Sequence, residues 1–178
     1  MHPRLRLPYL TTLHRKTPMN VLFLCTGNSC RSLIGEAVFN HLAPRGWRAL
    51  SAGSQPAGRL NARALRLLAD KGIPTEGYAS KSWNALPLTP DIVVTVCAGA
   101  AGETCPAYLG PVLRTHWGVD DPSHVEGSEE AISAAFERAY AILRARIEAF
   151  LSLPLGDLAL DRPRLKAELD RIGALLPA

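Results

Sequence analysis

Cys25 and Arg31 are separated by Thr26, Gly27, Asn28, Ser29 and Cys30, and Ser32 follows at once. That order suits a thiol lying beneath a bound tetrahedral oxyanion. Where such a loop opens into a helix, its successive N–H groups curl around the anion and the helix N-terminus adds partial positive charge. Gly27 permits the turn, while Asn28 tolerates positive φ and braces neighbouring loops through its side chain. Arg31 supplies a planar fork for two oxygens of one anion. A cysteine at the focus of these dipoles favours its thiolate, because helix N-termini lower a thiol pKa from ~8.5 into the range of roughly 3.5 to 7.5. Cys25 and Arg31 therefore read as catalytic. Thr26, Gly27, Asn28, Ser29, Cys30, Arg31 and Ser32 read as the substrate-binding cradle, with the Ser32 hydroxyl donating to the Cys25 sulfur and Cys30 a small residue packed beneath. The bland alternative is a buried strand-end cysteine followed by a surface arginine. Nucleotide loops are excluded: G-x-x-x-x-G-K-[ST] occurs nowhere, and no G-x-G-x-x-G follows this segment.

Two further places could carry chemistry. Cys97 and Cys105 flank seven residues, Ala98 to Thr104, that include Gly99 and Gly102. Such a segment is helical in one state and looped out in another, which would let Cys97 reach first Cys25 and then Cys105, as thiol–disulfide exchange demands. Inert packing of both cysteines is the alternative. A zinc site is disfavoured, since zinc cysteines usually lie about two to four residues apart and no His-x3-5-His partner exists. Asp120-Asp121-Pro122 offers an acid, although an Asp-Pro pair also initiates turns and spacing does not separate the two uses. His116 and Trp117 read as structural, and His2, His14, His41 and His124 form no constellation.

The elements that must position these groups alternate strand with helix. Val21 to Leu24 is a continuous apolar run of the kind buried on both faces of a sheet. Ile34, Ala37, Val38, His41 and Leu42 recur at helical spacing until Pro44 and Gly46. Residues 47–53 suit a second strand, and Asn61 caps a helix with Ala64, Leu65 and Leu68 on its apolar face. Asp91 to Val96 is a third buried strand, and Pro111 to His116 a weaker fourth. Ser128 starts a long helix through Ile132, Phe136, Tyr140, Leu143, Ile147 and Phe150, with Glu129 and Glu130 complementing its dipole. Residues 161–176 form a short amphipathic helix capped by Asp161. The pattern predicts an α/β fold, a four-stranded parallel sheet flanked by helices in three layers, with ligands at the carboxyl ends of the strands.

The 178 residues are enough for one domain with a little to spare. Hydrophobic residues make up 47% and charged residues 20%, a globular composition. The net charge of +4 hints at an extended anionic partner, but Arg4, Arg6, Arg15 and Lys16 account for all of it and leave 16 basic against 16 acidic groups beyond residue 18. Residues 1–18 therefore read as a basic leader, disordered or a mis-assigned start before Met19. Residues 19–152 read as the catalytic domain and 153–178 as a C-terminal helical extension. The leader lacks the apolar stretch of a secretory signal, so the four cysteines point to a reducing, cytoplasmic setting and to reactive use.

The run CTGNSCRS at 25–32, VVTVC at 93–97, Cys105-Pro106 and HWGVDDP at 116–122 together resemble the low-molecular-weight protein tyrosine phosphatase superfamily, and more closely its arsenate reductase branch. The resemblance implies that Cys25 attacks arsenate, that Asp121 protonates the departing oxygen, and that Cys97 and then Cys105 take up the oxidising equivalents as a Cys97–Cys105 disulfide. It implies thioredoxin as reductant. The spacing from Cys97 to Cys105, one residue longer than in the best-known thioredoxin-coupled relatives, keeps glutaredoxin with glutathione open. Some relatives hold potassium through residues matching Asn28 and Glu36, but their other ligands have no match near Tyr78 to Ser80, so neither a metal nor a cofactor is expected. The expected partners are arsenate and the thiol reductant, without nucleic acid or membrane, for a monomer. A tyrosine phosphatase and a non-catalytic oxyanion or redox sensor are the rival readings. Against the first, Ser123-His124-Val125 follows the Asp-Pro where phosphatases of this family carry tyrosines.

Overall fold

The computed structural model describes residues 18–104 and 109–176; the leader up to residue 17, Cys105 with Pro106, and the last two residues lie outside the described residues. Four apolar runs become strands β1 (Met19–Cys25), β2 (Trp47–Gly53), β3 (Ile92–Thr95) and β4 (Leu113–His116). They form one parallel sheet in the order β2-β1-β3-β4. Burial along β1 and β3 does not alternate, because helices cover both faces. The register sets Leu24 opposite Ala52 on one side and Thr95 on the other, so the carboxyl ends of β2 and β3 both flank Cys25.

Among the described residues six α-helices connect and cover the strands: α1 (Arg31–Leu42), α2 (Ala62–Asp70), α3 (Ala98–Gly102), α4 (Glu129–Leu151), α5 (Leu155–Leu158) and α6 (Arg162–Gly173). Their starts follow the caps in the sequence. Asn61 accepts from the Arg63 and Ala64 amides, Ser128 from Ala131, and Asp161 from Arg164. One expectation changes: His41 is exposed at the end of α1, where only the earlier turns face the core. On α2, Ala64 and Leu68 are fully buried and Leu65 packs partly buried against the core as expected, and Leu67 is buried beside them. The 23-residue α4 buries Phe136, Tyr140, Leu143, Ile147 and Phe150. Phe150 lies 6.0 Å from both Phe39 and Trp47 and 6.3 Å from Trp117, joining α4 to α1, β2 and the chain beyond β4. Gly35 of α1 sits so close to the Phe23 ring of β1 that a Cβ would come to 2.6 Å of it. Leu165, Leu169 and Ile172 of α6 join the same core, and α6 packs along β4. Among the described residues no helix is long and apolar enough to cross a membrane.

Candidate active site

The chain between β1 and α1 leaves the centre of the sheet and turns at Asn28, which adopts φ 44°. The carbonyls of Thr26, Gly27 and Ser29 accept hydrogen bonds from the amides of Gln55, Ala57 and Asn61 at 2.8 to 3.0 Å. Because a trans peptide points its N–H opposite to its C=O, those ties turn the following N–H groups toward the inside of the loop. One of them, the Asn28 amide, donates to Cys25 Sγ at 3.2 Å, and the Ser32 hydroxyl meets the same sulfur at 2.9 Å. The loop is braced from behind. Asn28 is fully buried, and its Nδ2 donates to Ser32 Oγ and Ser51 Oγ, each at 2.9 Å. Its Oδ1 accepts from the Lys81 amide at 2.8 Å.

Arg31 opens α1 and turns its guanidinium across to the chain beyond β4. Nη2 pairs with Asp121 Oδ2 at 2.7 Å and Nη1 donates to the Val119 carbonyl at 2.9 Å. Partial burial pushes the Asp121 pKa up. Hydrogen bonds from the Ser123 hydroxyl and amide, with the positive charges of Arg31 and His124, outweigh that and hold the carboxyl below the ordinary aspartate value. Cys30 is buried, and its thiol is pushed up to about 12 by burial first and then by the Asp121 charge, against the opposing pull of Arg31. It is a packed, protonated member of the loop.

Cys97, at the carboxyl end of β3, caps α3 with its own sulfur, which accepts from the Ala100 amide at 3.3 Å and meets Thr26 Oγ1 at 3.6 Å. Gly99 makes this approach possible, since a Cβ there would stand 2.8 Å from Thr26 Oγ1. A cleft of about 470 Å³ results, lined by residues 25–31, Cys97, Ala98, Gly99, Asp121, Ser123 and His124. Cys25, Cys30 and Cys97 are free thiols. The structure thus gathers Cys25, Arg31, Cys97 and Asp121 at one opening, with Asp120 outside it; Cys105 lies outside the described residues.

Residues 20–165 match the low molecular weight phosphotyrosine protein phosphatase family. The chain belongs to this family. Among its relatives are arsenate reductases of Shouchella clausii, 38% identical over 131 residues, and of Bacillus subtilis, 37% identical; each alignment covers 73% of this chain and 93% of the relative. Among solved structures, an arsenate reductase from Archaeoglobus fulgidus is 28% identical with a TM-score of 0.63, covering 75% of this chain and 99% of the other. A low molecular weight protein tyrosine phosphatase from T. tengcongensis, 22% identical with a TM-score of 0.54 over 73% of this chain and 98% of that one, shares the fold.

Within this phosphatase-family cradle, several participants come from outside the motif. Ser51 and Gly53 end β2, and a Cβ at Gly53 would overlap the Thr26 carbonyl and stand 3.0 Å from the Asn28 nitrogen. Ser51 also donates to Glu36 Oε2, and Lys81 Nζ stands 3.7 Å from the same oxygen. Burial raises the Glu36 pKa, with Ser51 and Lys81 opposing. Asn28 Oδ1 and Glu36 Oε2 thus already accept from protein donors, and the Lys81 ammonium stands beside the carboxylate. Small residues at the carboxyl end of a strand are the only sequence trace of this brace. Lys81 left none.

Proposed function

We propose that this chain reduces arsenate to arsenite through Cys25, Cys97 and Cys105, with an external thiol system restoring the cysteines. What carries the reading is that the free thiols of Cys25 and Cys97 share one cleft, with Thr26 beside the second sulfur. A phosphatase needs only the first thiol. The name arsenate reductase on relatives that align over 73% of the chain agrees with it.

Arsenate sits on the loop amides and on Arg31. Sharing that guanidinium with the substrate weakens its hold on Asp121, so the carboxyl pKa climbs and a proton becomes available. The Cys25 thiolate attacks arsenic, and one arsenate oxygen leaves as water with the proton from Asp121. The Cys97 thiolate then attacks Cys25 Sγ. A disulfide forms, the sulfur–arsenic bond breaks, and its electron pair stays on arsenic, which departs as arsenite. Cys105 next attacks Cys97 Sγ, returning the Cys25 thiolate and leaving a Cys97–Cys105 disulfide for thioredoxin, or for glutaredoxin with glutathione, to reduce. A Corynebacterium glutamicum thioredoxin-dependent arsenate reductase, 26% identical with a TM-score of 0.52 over 73% of this chain and 60% of that one, favours the first reductant.

The test is arsenite production with each reductant system, repeated with Cys25, Cys97 and Cys105 each changed to Ser. Cys25→Ser and Cys97→Ser should be inactive, and Cys105→Ser should stop after one turnover. Full multiple turnover by Cys105→Ser with thioredoxin would sink the relay. Aryl phosphate hydrolysis by Cys97→Ser without arsenite from the parent would make the chain a tyrosine phosphatase. The cleft wall speaks against that: Ala98, Gly99, Ser123 and His124 offer no phenol or indole to flank a phosphotyrosine ring. Stoichiometric arsenate binding without turnover would make it a sensor.

A further inference from the structure

α3 is a poor helix by composition. It is Ala98-Gly99-Ala100-Ala101-Gly102, five residues of which two are glycine, the weakest helix former after proline. Isolated helices below about 12 residues are marginal in water. What keeps it wound comes from elsewhere in the chain. Arg114, half-buried on β4, donates through Nη1 to the Glu103 carbonyl at 2.7 Å and through Nη2 to the carbonyls of Ala100 at 2.5 Å and Ala101 at 3.3 Å. A helix C-terminus leaves its last carbonyls short of intrahelical partners; among the described residues Ala100 alone of the three also accepts from the Glu103 amide, at 3.3 Å, and a cation there opposes the negative end of the dipole. A second tie joins the Glu103 carboxylate to the Ser54 hydroxyl, just beyond β2, at 2.8 Å. At its other end α3 is capped by the Cys97 sulfur itself.

We propose that Arg114 is a positioning residue: by clamping the end of α3 it holds Cys97 against Thr26 at the anion loop, and release of that clamp is the step that hands Cys97 from Cys25 to Cys105. The hand-over rests on the relay proposed above; the clamp does not. In the hand-over Cys97 Sγ leaves the Ala100 amide that it caps and bonds to Cys105 instead; α3 loses its cap, unwinds and surrenders the bonds from Arg114. The exchange carries no net oxidation: the Cys105 thiolate attacks Cys97 Sγ, the Cys25–Cys97 bond breaks, and its electron pair returns to Cys25. Among the described residues the Arg114 hydrogen bonds go to the end of α3 and to Glu103, not to Cys25 or its loop, so its hold on Cys97 runs through α3.

The experiment compares the full chain with Arg114→Ala, Arg114→Lys and Ser54→Ala, all reduced and without arsenate. Hydrogen exchange is followed across residues 98–103, and Cys97 alkylation by iodoacetamide is mapped by mass spectrometry. In Arg114→Ala both rates should rise about tenfold or more, the scale for losing hydrogen bonds to a charged donor. Arg114→Lys should fall between, Ser54→Ala should show a smaller rise, and β1 amides should keep parental rates. After a single arsenate pulse, Arg114→Ala should accumulate less Cys25–Cys97 disulfide relative to Cys97–Cys105. Unchanged exchange and alkylation in Arg114→Ala would overturn the clamp, even with arsenite still produced by the parent. Faster exchange with no arsenite from the parent would leave the clamp and overturn the hand-over. If Arg114→Ala exchanges globally, Ser54→Ala decides, because it cuts one hydrogen bond at a partly exposed site.

Discussion

Arg31 does not face the loop alone. Its 2.7 Å pair with Asp121 gives the proposed acid a partner that stabilises its ionised form, so proton delivery depends on the substrate drawing on the same guanidinium. Asp121→Asn should lower arsenate turnover by about 10² to 10⁴, the usual weight of a general acid. The same change frees Arg31 from an anionic competitor, so sulfate should protect Cys25 from alkylation at equal or lower concentration than in the parent. Weaker protection would mean that Asp121 shapes the loop rather than supplying the proton. Glu36 yields a second residue-scale expectation. Its pKa is raised from 4.5 by burial, so the folded chain holds this proton more tightly than the unfolded chain does. Stability is thereby lost as pH climbs from 4.5 through the raised value. Glu36→Gln keeps an acceptor for Ser51 and has no such slope. Its melting temperature should gain on the parent over that window and hold a constant difference above it; a constant difference across the whole range would remove the assignment.

At the scale of elements, the anion loop is shaped by what runs beside it. The chain from the end of β2 to the cap of α2 supplies the amides that take the loop's carbonyls, and Asn61 serves twice, capping α2 with its side chain and holding the Ser29 carbonyl with its amide. Gly53 is where these two segments nearly touch. Gly53→Ala places a methyl group against backbone atoms that have no rotamer to escape into, so the loop itself must move. We expect at least tenfold weaker sulfate protection of Cys25 and a stability loss of about 1 to 3 kcal/mol, the range for overpacking a filled site. Calorimetry and alkylation kinetics on one preparation check both. A stability loss with sulfate binding intact would place the cost outside the loop.

Over the whole molecule, the chain beyond α4 is bound into the core. Trp117 Nε1 donates to the Leu169 carbonyl at 3.0 Å, Thr115 Oγ1 to Asp170 Oδ1 at 2.8 Å, and Gly173 lies against the His116 carbonyl and the Trp117 ring. Arg146, only 1% exposed, reaches the carbonyls of Gly118, Leu175 and Leu176 at 2.8 to 3.0 Å. The stretch that α6 and Arg146 secure, residues 115–118, leads straight to Asp121. Ending the chain after Leu160 strips Leu165, Leu169 and Ile172 from the core, each worth about 1.5 to 3 kcal/mol of burial. The truncated chain should melt well below the parent or fail to fold. Arg146→Met, which takes the donor from three part-buried carbonyls, should cost about 1.5 to 3 kcal/mol; an unchanged unfolding midpoint in urea would refute that weight.

Much of this was legible in advance because it is local. A buried strand, a Gly-Asn turn and a helix start follow one another from Val21 to Ile34, so the thiol, the turn and the arginine come together through backbone geometry alone. Asn61, Ser128 and Asp161 announced their helices for the same reason: a cap bonds within its own first turn. The misreading at His41 falls where periodicity names a face but not which neighbour covers it. Ser51, Gly53, Lys81 and Arg114 were invisible as site residues, since each acts on a segment far from it in the chain. Their roles depend on the sheet order β2-β1-β3-β4, which brings the carboxyl ends of β2 and β3 to the two sides of Cys25. The sequence by itself thus determined the loop from Cys25 to Ser32, where thiol, turn and arginine lie in one contiguous run. Only the tertiary structure decided what holds Asn28, what pairs with Arg31 and what winds α3 beside Thr26, because strand order and register, not spacing, set those distances.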